Sequence, residues 1–109
     1  MKFNKFYYKP LPDYLTIKSS SIEGLGIFAT KKIKSNTDLG MTHIKVPIIM
    51  GYIRTPLGGF VNHSKDFNCC LIESLDWDDY RVYNLVAIMN IKKGEEITLN
   101  YHTEEEIDD

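Results

Sequence analysis

The sequence lacks the features that mark several large classes of protein. Its 109 residues include only two cysteines, Cys69 and Cys70, which are adjacent. Adjacent cysteines close almost no loop, so a structural disulfide is not expected, which fits a reducing compartment. No run approaches the roughly 20 apolar residues of a membrane helix, and the N-terminus lacks the apolar stretch and cleavage site of a signal peptide. We therefore expect a soluble, intracellular protein that does not contact membranes.

The chain also lacks an excess of positive charge. Lys and Arg number 13 against 15 Asp and Glu, and the formal net charge is −2. Because a nucleic-acid-binding face is normally basic, direct binding to nucleic acid is not expected. Acidic residues cluster at 73–79 and 103–109. These clusters fit a solvated surface and a disordered end, or alternatively a groove that attracts a basic peptide.

Helical periodicity is missing too, and the length suits one domain of roughly 100–150 residues. Short apolar runs separated by turn residues predict strands instead. We expect them in six segments: 14–18, 25–29, 44–50, 59–62, 82–90 and 96–100. Residues 91–95 predict the turn that joins the last two strands. The sequence thus predicts a compact, mostly β domain.

Three segments carry the polar and glycine residues of a candidate site. Residues 24–26 read Gly-Leu-Gly, without the third glycine and following helix of a dinucleotide-binding fingerprint, although glycines still let a ligand approach the backbone. Residues 62–64 read Asn-His-Ser directly after Phe60 and Val61. This run fits common turn chemistry, and equally a loop that binds a polar ligand. Residues 94–101 read Gly-Glu-Glu-Ile-Thr-Leu-Asn-Tyr, a strand that ends in tyrosine.

In this order, the three segments resemble the SET domain of protein lysine methyltransferases. That family has a Gly-x-Gly, then Arg-Phe-Ile-Asn-His-Ser-Cys-x-Pro-Asn-Cys, then Gly-Glu-Glu-(Leu/Ile)-Thr-x-x-Tyr. This chain reads FVNHSKDFNC at 60–69 and GEEITLNY at 94–101. The resemblance covers about residues 14–102. It extends in particular to the minimal stand-alone SET proteins of large viruses and some bacteria, of the chlorella-virus histone methyltransferase type.

The resemblance implies an architecture that composition alone does not. It is a mostly β fold, the SET-domain β-clip of several small sheets, with a C-terminal pseudoknot that threads the last strand past the Asn-His-Ser loop. Residues 1–109 would form a single minimal SET domain with a core at about 14–102 and an acidic tail at 103–109. No cysteine follows Tyr101, so we expect no post-SET zinc module. We also expect no pre-SET module, and no metal, because the His and Cys residues lack the spacing of a metal site. Cytoplasmic, nuclear or, for a viral chain, host-cell locations all fit.

The resemblance also implies a cofactor, S-adenosyl-L-methionine, and the residues that contact it. Glycine would let the main chain approach the methionine portion, and an asparagine side chain can accept a hydrogen bond from the cofactor's ammonium group. The implied cofactor-binding residues are Glu23, Gly24, Leu25, Asn62 and His63. For His63 we expect a structural and backbone role rather than that of a general base.

Tyr101 is the predicted catalytic residue. A lysine amine attacks only when neutral, and with an unperturbed pKa of about 10.4 only roughly one in a few thousand is neutral at pH 7. Desolvation and a nearby sulfonium charge both lower that pKa, while a phenol can orient the amine. Tyr52 and Tyr83 are weaker candidates for the substrate channel, because a tyrosine at either position more often simply fills the core.

Several departures from the family pattern leave two functions open. Gly59, Lys65 and Phe67 replace the usual Arg, Cys and Pro, and the insert between residues 40 and 52 is very short. The first function is methyl transfer from S-adenosylmethionine to a lysine of a protein or peptide, such as a basic tail. The second is a catalytically weak SET-like module that binds cofactor or peptide. A second copy of the chain, as a homodimer, or the substrate itself could complete the groove.

Overall fold

The structure of the protein, a computed structural model, is described for residues 10–45, 52–74 and 81–100. These residues form eight strands and one short helix. The elements are β1 (Leu15–Ser19), β2 (Leu25–Ala29), β3 (Asp38–Lys45), β4 (Ile53–Arg54), α1 (Pro56–Phe60), β5 (Asn62–His63), β6 (Cys69–Ser74), β7 (Arg81–Ala87) and β8 (Glu96–Leu99). The prediction of a mostly β domain is therefore confirmed.

The strands form one curled sheet in the order β1-β2-β8-β6-β7-β3-β4, and β5 pairs with β8 beside this path. β1 and β2 form an antiparallel hairpin in which Leu15 lies opposite Ala29 and Ser19 lies opposite Leu25. The β3–β7 ladder shifts register twice, between Asp38 and Gly40 and again farther along β3. Such bulges bend a strand and increase its twist, which accounts for the curl of the sheet.

β8 is the strand that brings distant parts of the chain together. It pairs antiparallel with β2 and parallel with both β5 and β6. In the β5 ladder Asn62 lies opposite Thr98, and His63 lies opposite Leu99. The N-terminal hairpin and the Asn-His segment therefore meet at the same strand.

The hydrophobic core is supplied by nearly every strand. Ile97 and Leu99 of β8 are fully buried, and the burial of each such side chain stabilises the fold by roughly 1.5–3 kcal/mol. The bridge between Ile33 and Ile91 adds two more buried side chains from connecting segments. The buried cluster consists of Leu15, Ile27, Ala29, Ile33, Leu39, Leu57, Val61, Cys69, Leu85, Ala87, Ile91, Ile97 and Leu99.

Four predicted strands, at 14–18, 25–29, 82–90 and 96–100, are confirmed as β1, β2, β7 and β8 to within a few residues. The strand predicted at 59–62 is wrong, because helix α1 occupies Pro56–Phe60. Thr55 caps this helix by accepting a hydrogen bond from the Gly58 backbone amide at 3.3 Å, and Pro56 favours a first helical position. A Cβ at Gly58 would collide with the Thr42 carbonyl, so glycine permits the helix to pack on β3.

The strand predicted at 44–50 is placed too late in the chain. β3 begins at Asp38 and ends at Lys45, and residues 46–50 lie outside the described residues. The turn predicted at 91–95 is confirmed by the hydrogen bond from the Glu95 amide to the Lys92 carbonyl at 3.1 Å. It does not form a hairpin, however, since β6 lies between β7 and β8 in the sheet.

Residues 101–109 lie outside the described residues, so the predicted C-terminal threading and the acidic tail stay predictions. The same holds for the predicted domain bounds. Within the described part of the chain, no helix has the length and apolar character needed to cross a bilayer.

Candidate functional site

The loop between β1 and β2 is closed by hydrogen bonds of its own. The Ser20 amide donates to the Gly24 carbonyl at 2.8 Å, and Ser20 Oγ accepts from the Ile22 amide at 2.9 Å. Gly24 has a φ of +40°, a backbone conformation that favours glycine. The loop is therefore a fixed platform, with the Glu23 and Leu25 carbonyls on either side of its glycine.

Asn62 spans from β5 to this loop. Its Nδ2 lies 3.2 Å from the Glu23 carbonyl oxygen, 3.3 Å from the Leu25 carbonyl oxygen and 3.2 Å from Ser20 Oγ. The shortest contact, 2.8 Å, is to Glu96 Oε2. Because carbonyl and carboxylate oxygens only accept hydrogen bonds, the side-chain nitrogen of Asn62 must face them. The structure thus brings the predicted residues Glu23, Leu25 and Asn62 into direct contact.

Glu96 lies at the centre of this polar cluster. Ser20 Oγ donates to its carboxylate, at 2.8 Å from Oε1 and 2.9 Å from Oε2. Together with the Asn62 contact, these bonds tie the hairpin loop, β5 and β8 to one carboxylate. A Cβ at Gly26 would collide with Glu96 Oε2, so the second glycine of the Gly-Leu-Gly segment makes room for this carboxylate. Sequence analysis gave Glu96 no role.

His63 follows Asn62 on β5 and is half-buried. Its Nδ1 lies 3.4 Å from the Asn100 carbonyl oxygen, and the adjacent Ser64 amide donates to the Leu99 carbonyl at 3.0 Å. The Asn-His segment thus follows β8 to its end. Tyr101, the predicted catalytic residue, comes directly after Asn100 in the sequence and lies outside the described residues.

Asn68 is a second residue that sequence analysis missed. It is 8% exposed, and its Nδ2 donates to the Glu96 carbonyl at 2.9 Å while its Oδ1 accepts from the Thr98 amide at 2.9 Å. The side chain thereby completes the hydrogen bonding of β8 just before β6 begins. Its position in the FVNHSKDFNC segment was the only available signal. Asn68 fixes the strand that carries Glu96.

Tyr52 and Tyr83 lie in a separate cluster around His43. The Tyr52 ring meets the buried His43 ring edge-on, with centroids 4.8 Å apart, and Tyr83 lies opposite His43 across the β3–β7 ladder. Burial raises the pKa of the Tyr83 phenol, and this effect is partly offset by the nearby Arg81 guanidinium. The two predicted channel residues, Tyr52 just before β4 and Tyr83 on β7, therefore both lie beside His43 and on other elements than those of the Asn62 cluster.

The cysteines show no sign of activated chemistry. Cys69 is fully buried, and burial raises the pKa of its thiol to about 12, so it stays protonated at neutral pH. The pKa of Cys70 is also raised by burial. Among the residues that the structure describes, no group of three His, Cys, Asp or Glu side chains is arranged to hold a metal ion.

Comparison with known proteins agrees with this geometry. Residues 50–102 match the family model described as the SET domain. Among solved structures, the chain is similar to a candidate histone methyltransferase of Plasmodium falciparum, with 22% identity and a TM-score of 0.67, covering 83% of this chain and 94% of that one. It is also similar to the methyltransferase domain of human PR domain-containing protein 2, with 17% identity, a TM-score of 0.63 and coverage of 82% and 77%. No curated protein sequence matches this chain.

The matched family segment includes both the Asn-His-Ser and the Gly-Glu-Glu residues that meet at β8, and the two structural matches cover 83% and 82% of the chain. The chain therefore has the fold of these SET-domain structures, and its residues 50–102 match the SET-domain family model.

Proposed function

We propose that this protein transfers a methyl group from S-adenosylmethionine to a lysine side chain of a protein substrate. The observation that carries the proposal is the contact of Asn62 with the Glu23 and Leu25 carbonyls, which joins the segments that resemble the SET cofactor site. The family match and the SET-domain fold support the same activity.

The side-chain oxygen of Asn62, Oδ1, is placed to bind the ammonium group of the cofactor. Every contact of the Asn62 amide with the described residues is made by Nδ2. None of the described residues donates a hydrogen bond to Oδ1 of the same amide. An amide oxygen in that position can accept from the ammonium group of a bound amino-acid moiety. Asn62 and the main chain of 23–25 would then hold the methionine portion, with the His63 backbone toward the adenine. When bound, the cofactor supplies a methyl group on a sulfonium sulfur.

The protein's task in this reaction is mainly to align the amine and exclude water. A desolvated channel lowers the pKa of the substrate lysine because it disfavours the charged amine. We propose Tyr101 as the residue that orients the neutral amine, and Tyr52 and Tyr83 as walls of the channel. Tyr83, whose pKa is raised by burial, keeps its phenolic proton at neutral pH and can donate a hydrogen bond.

The substrate that we propose is a lysine-containing protein with a basic segment. The acidic stretch that begins at Glu73 would attract such a segment at low salt. The similar Plasmodium protein is described as a histone methyltransferase candidate, which makes a histone tail the first peptide to test. A homodimer, in which a second copy covers the groove, is a further part of this proposal.

Cofactor binding is tested by calorimetric titration with S-adenosylhomocysteine. The wild type should bind saturably, and Asn62→Ala should bind roughly 10–100-fold more weakly, since a hydrogen bond to a charged group contributes about 1.5–3 kcal/mol. Asn90→Ala is the control, because Asn90 is exposed and its side chain contacts the Ser35 amide instead. No wild-type binding at millimolar ligand would contradict the proposal and leave a SET-like binding module.

Catalysis is tested by labelling cell-extract proteins with radioactive cofactor. Tyr101→Phe removes only the hydroxyl, so it should leave S-adenosylhomocysteine affinity largely unchanged and depress labelling by at least about tenfold. Labelling equal to that of the wild type would remove Tyr101 from the mechanism. Identification of the labelled band would give the substrate.

A further inference from the structure

Glu96 occupies a position that the proposed function has not yet used. We propose that Glu96 is a positioning residue that turns the Asn62 amide so that its Oδ1 faces the ammonium group of the cofactor. The inference rests on the proposed function and deepens it, because it names the carboxylate that prepares the site for a cationic ligand.

The orientation of the Asn62 amide follows from what surrounds its nitrogen. Among the described residues, Glu96 Oε2 is the nearest acceptor, at 2.8 Å, and the only charged one, whereas the Glu23 and Leu25 carbonyls lie at 3.2 and 3.3 Å. A hydrogen bond to an ionised acceptor is roughly twice as strong as one between neutral groups. A flipped amide would place Oδ1 against one carboxylate and two carbonyl oxygens, none of which can donate a hydrogen bond. The carboxylate is the strongest of these three acceptors, so it contributes most to the observed orientation.

Glu96 also fixes the platform on which Asn62 rests. Ser20 donates to both carboxylate oxygens, and the same hydroxyl accepts from the Ile22 amide within the hairpin loop. The loop that presents the Glu23 and Leu25 carbonyls is therefore linked to Glu96 through one serine. Loss of the carboxylate would loosen both partners of the Asn62 contact together.

The negative charge of Glu96, like its position, favours the binding of an ammonium group at Asn62 Oδ1. The Glu96 carboxylate accepts a hydrogen bond from Asn62 Nδ2, and this bond increases the negative character of Oδ1 in the same amide. Carboxylates that orient and polarise metal-binding histidines in the same way contribute 10–100-fold in affinity. This arrangement should increase the affinity for a ligand with an ammonium group and leave unchanged the affinity for a ligand without one.

Glu95 provides the matched control within the same segment. Its carboxylate accepts from the Lys92 amide at 2.6 Å in the preceding turn, so it stabilises the turn and takes no part in the Asn62 contacts. The two neighbouring glutamates thus differ in partners and not in chemistry. Substitution of each by glutamine removes the same charge and conserves the shape of the side chain.

The experiment compares two ligands on three proteins. S-adenosylhomocysteine and its deaminated analogue, in which hydrogen replaces the ammonium group, are titrated calorimetrically into the wild type, Glu96→Gln and Glu95→Gln. The wild type should prefer the ammonium-bearing ligand by about tenfold or more. Glu96→Gln should reduce this preference at least threefold, while Glu95→Gln keeps it. Thermal unfolding of each variant confirms that it is folded. If Glu96→Gln does not fold, Glu96→Asp replaces it in the titrations, because the shorter side chain also withdraws the carboxylate from Asn62.

Each other outcome overturns a separate statement. If Glu96→Gln weakens both ligands by the same factor, Glu96 has only a general structural role and the inference is wrong. If the wild type shows no preference between the ligands, Asn62 does not bind the ammonium group. If the wild type binds neither ligand, the proposed function itself fails, and the inference fails with it.

Discussion

Substitution of Gly26 by alanine should destabilise the protein through a single displaced carboxylate. A Cβ at this position would collide with Glu96 Oε2 and come within 3.0 Å of Asn62 Nδ2. The clash can be relieved only if the Glu96 carboxylate moves away from residue 26 on β2. That movement would break its hydrogen bonds with Ser20 and Asn62, both at 2.8 Å.

The expected size of the effect follows from these two bonds. Hydrogen bonds to charged groups contribute about 1.5–3 kcal/mol each, and because this cluster is only partly buried, water recovers roughly half of that total. Alanine in a strand interior returns about 0.5–1 kcal/mol relative to glycine. The net loss in free energy of unfolding should be about 1–2 kcal/mol, or roughly 5–15 °C in Tm for a domain of this size.

Urea unfolding followed by circular dichroism measures this loss, with Gly59→Ala as the control. Gly59 lies in helix α1, and a Cβ there meets no heavy atom within 4 Å. Gly59→Ala should be neutral or stabilise the fold by up to about 1 kcal/mol, since alanine is the better helix former. If the two alanine variants have the same stability, the carboxylate does not occupy the space above Gly26 and the reasoning is refuted.

Two further predictions concern stability. Asn68→Ala should lower the free energy of unfolding by about 2–4 kcal/mol because it leaves the Thr98 amide and the Glu96 carbonyl without their buried partner. In urea unfolding, Asn90→Ala at the surface should lower it far less, and equal losses would contradict the role given to Asn68. Burial raises the pKa of the Cys69 thiol from 9.0 to about 12. As the pH rises, the unfolded chain therefore loses this proton at a lower pH than the folded chain does. The stability from the neutral thiol is complete below pH 9 and is lost as the pH rises toward 12. Between pH 8 and pH 10 the wild type should lose about 1 kcal/mol more than Cys69→Ala, and parallel losses would show that the thiol does not contribute.

The strands could be predicted from the sequence where the local pattern is strong. The segment LGIFA and the segment VYNLVA combine β-branched or aromatic residues with turn residues at their ends, and both became strands. Helix α1 was missed because PLGGF has two glycines and little helix propensity. Its signal was Thr55 followed by Pro56, a capping residue before a first-turn proline.

The meeting of the three segments could not be derived from periodicity. Ser20 and Glu96 are 76 positions apart in sequence, and β5 joins β8 in parallel, a pairing that no local pattern encodes. Only the resemblance to a family suggested that these segments come together. The order of strands in the curled sheet likewise depends on tertiary packing rather than on the residues of each strand.

The Gly-Glu-Glu segment shows most directly what a sequence leaves undetermined. Glu95 and Glu96 are chemically identical neighbours, yet one accepts from the turn amide of Lys92 and the other from Ser20 and Asn62. The β2–β8 pairing decides between them, because it places Glu96 opposite Phe28 and its carboxylate over Gly26. Combining Gly26→Ala with Glu96→Ala tests this coupling: with the carboxylate gone, the added methyl should cost little or nothing in urea unfolding. An equal cost in both backgrounds would show that Gly26 and Glu96 act independently.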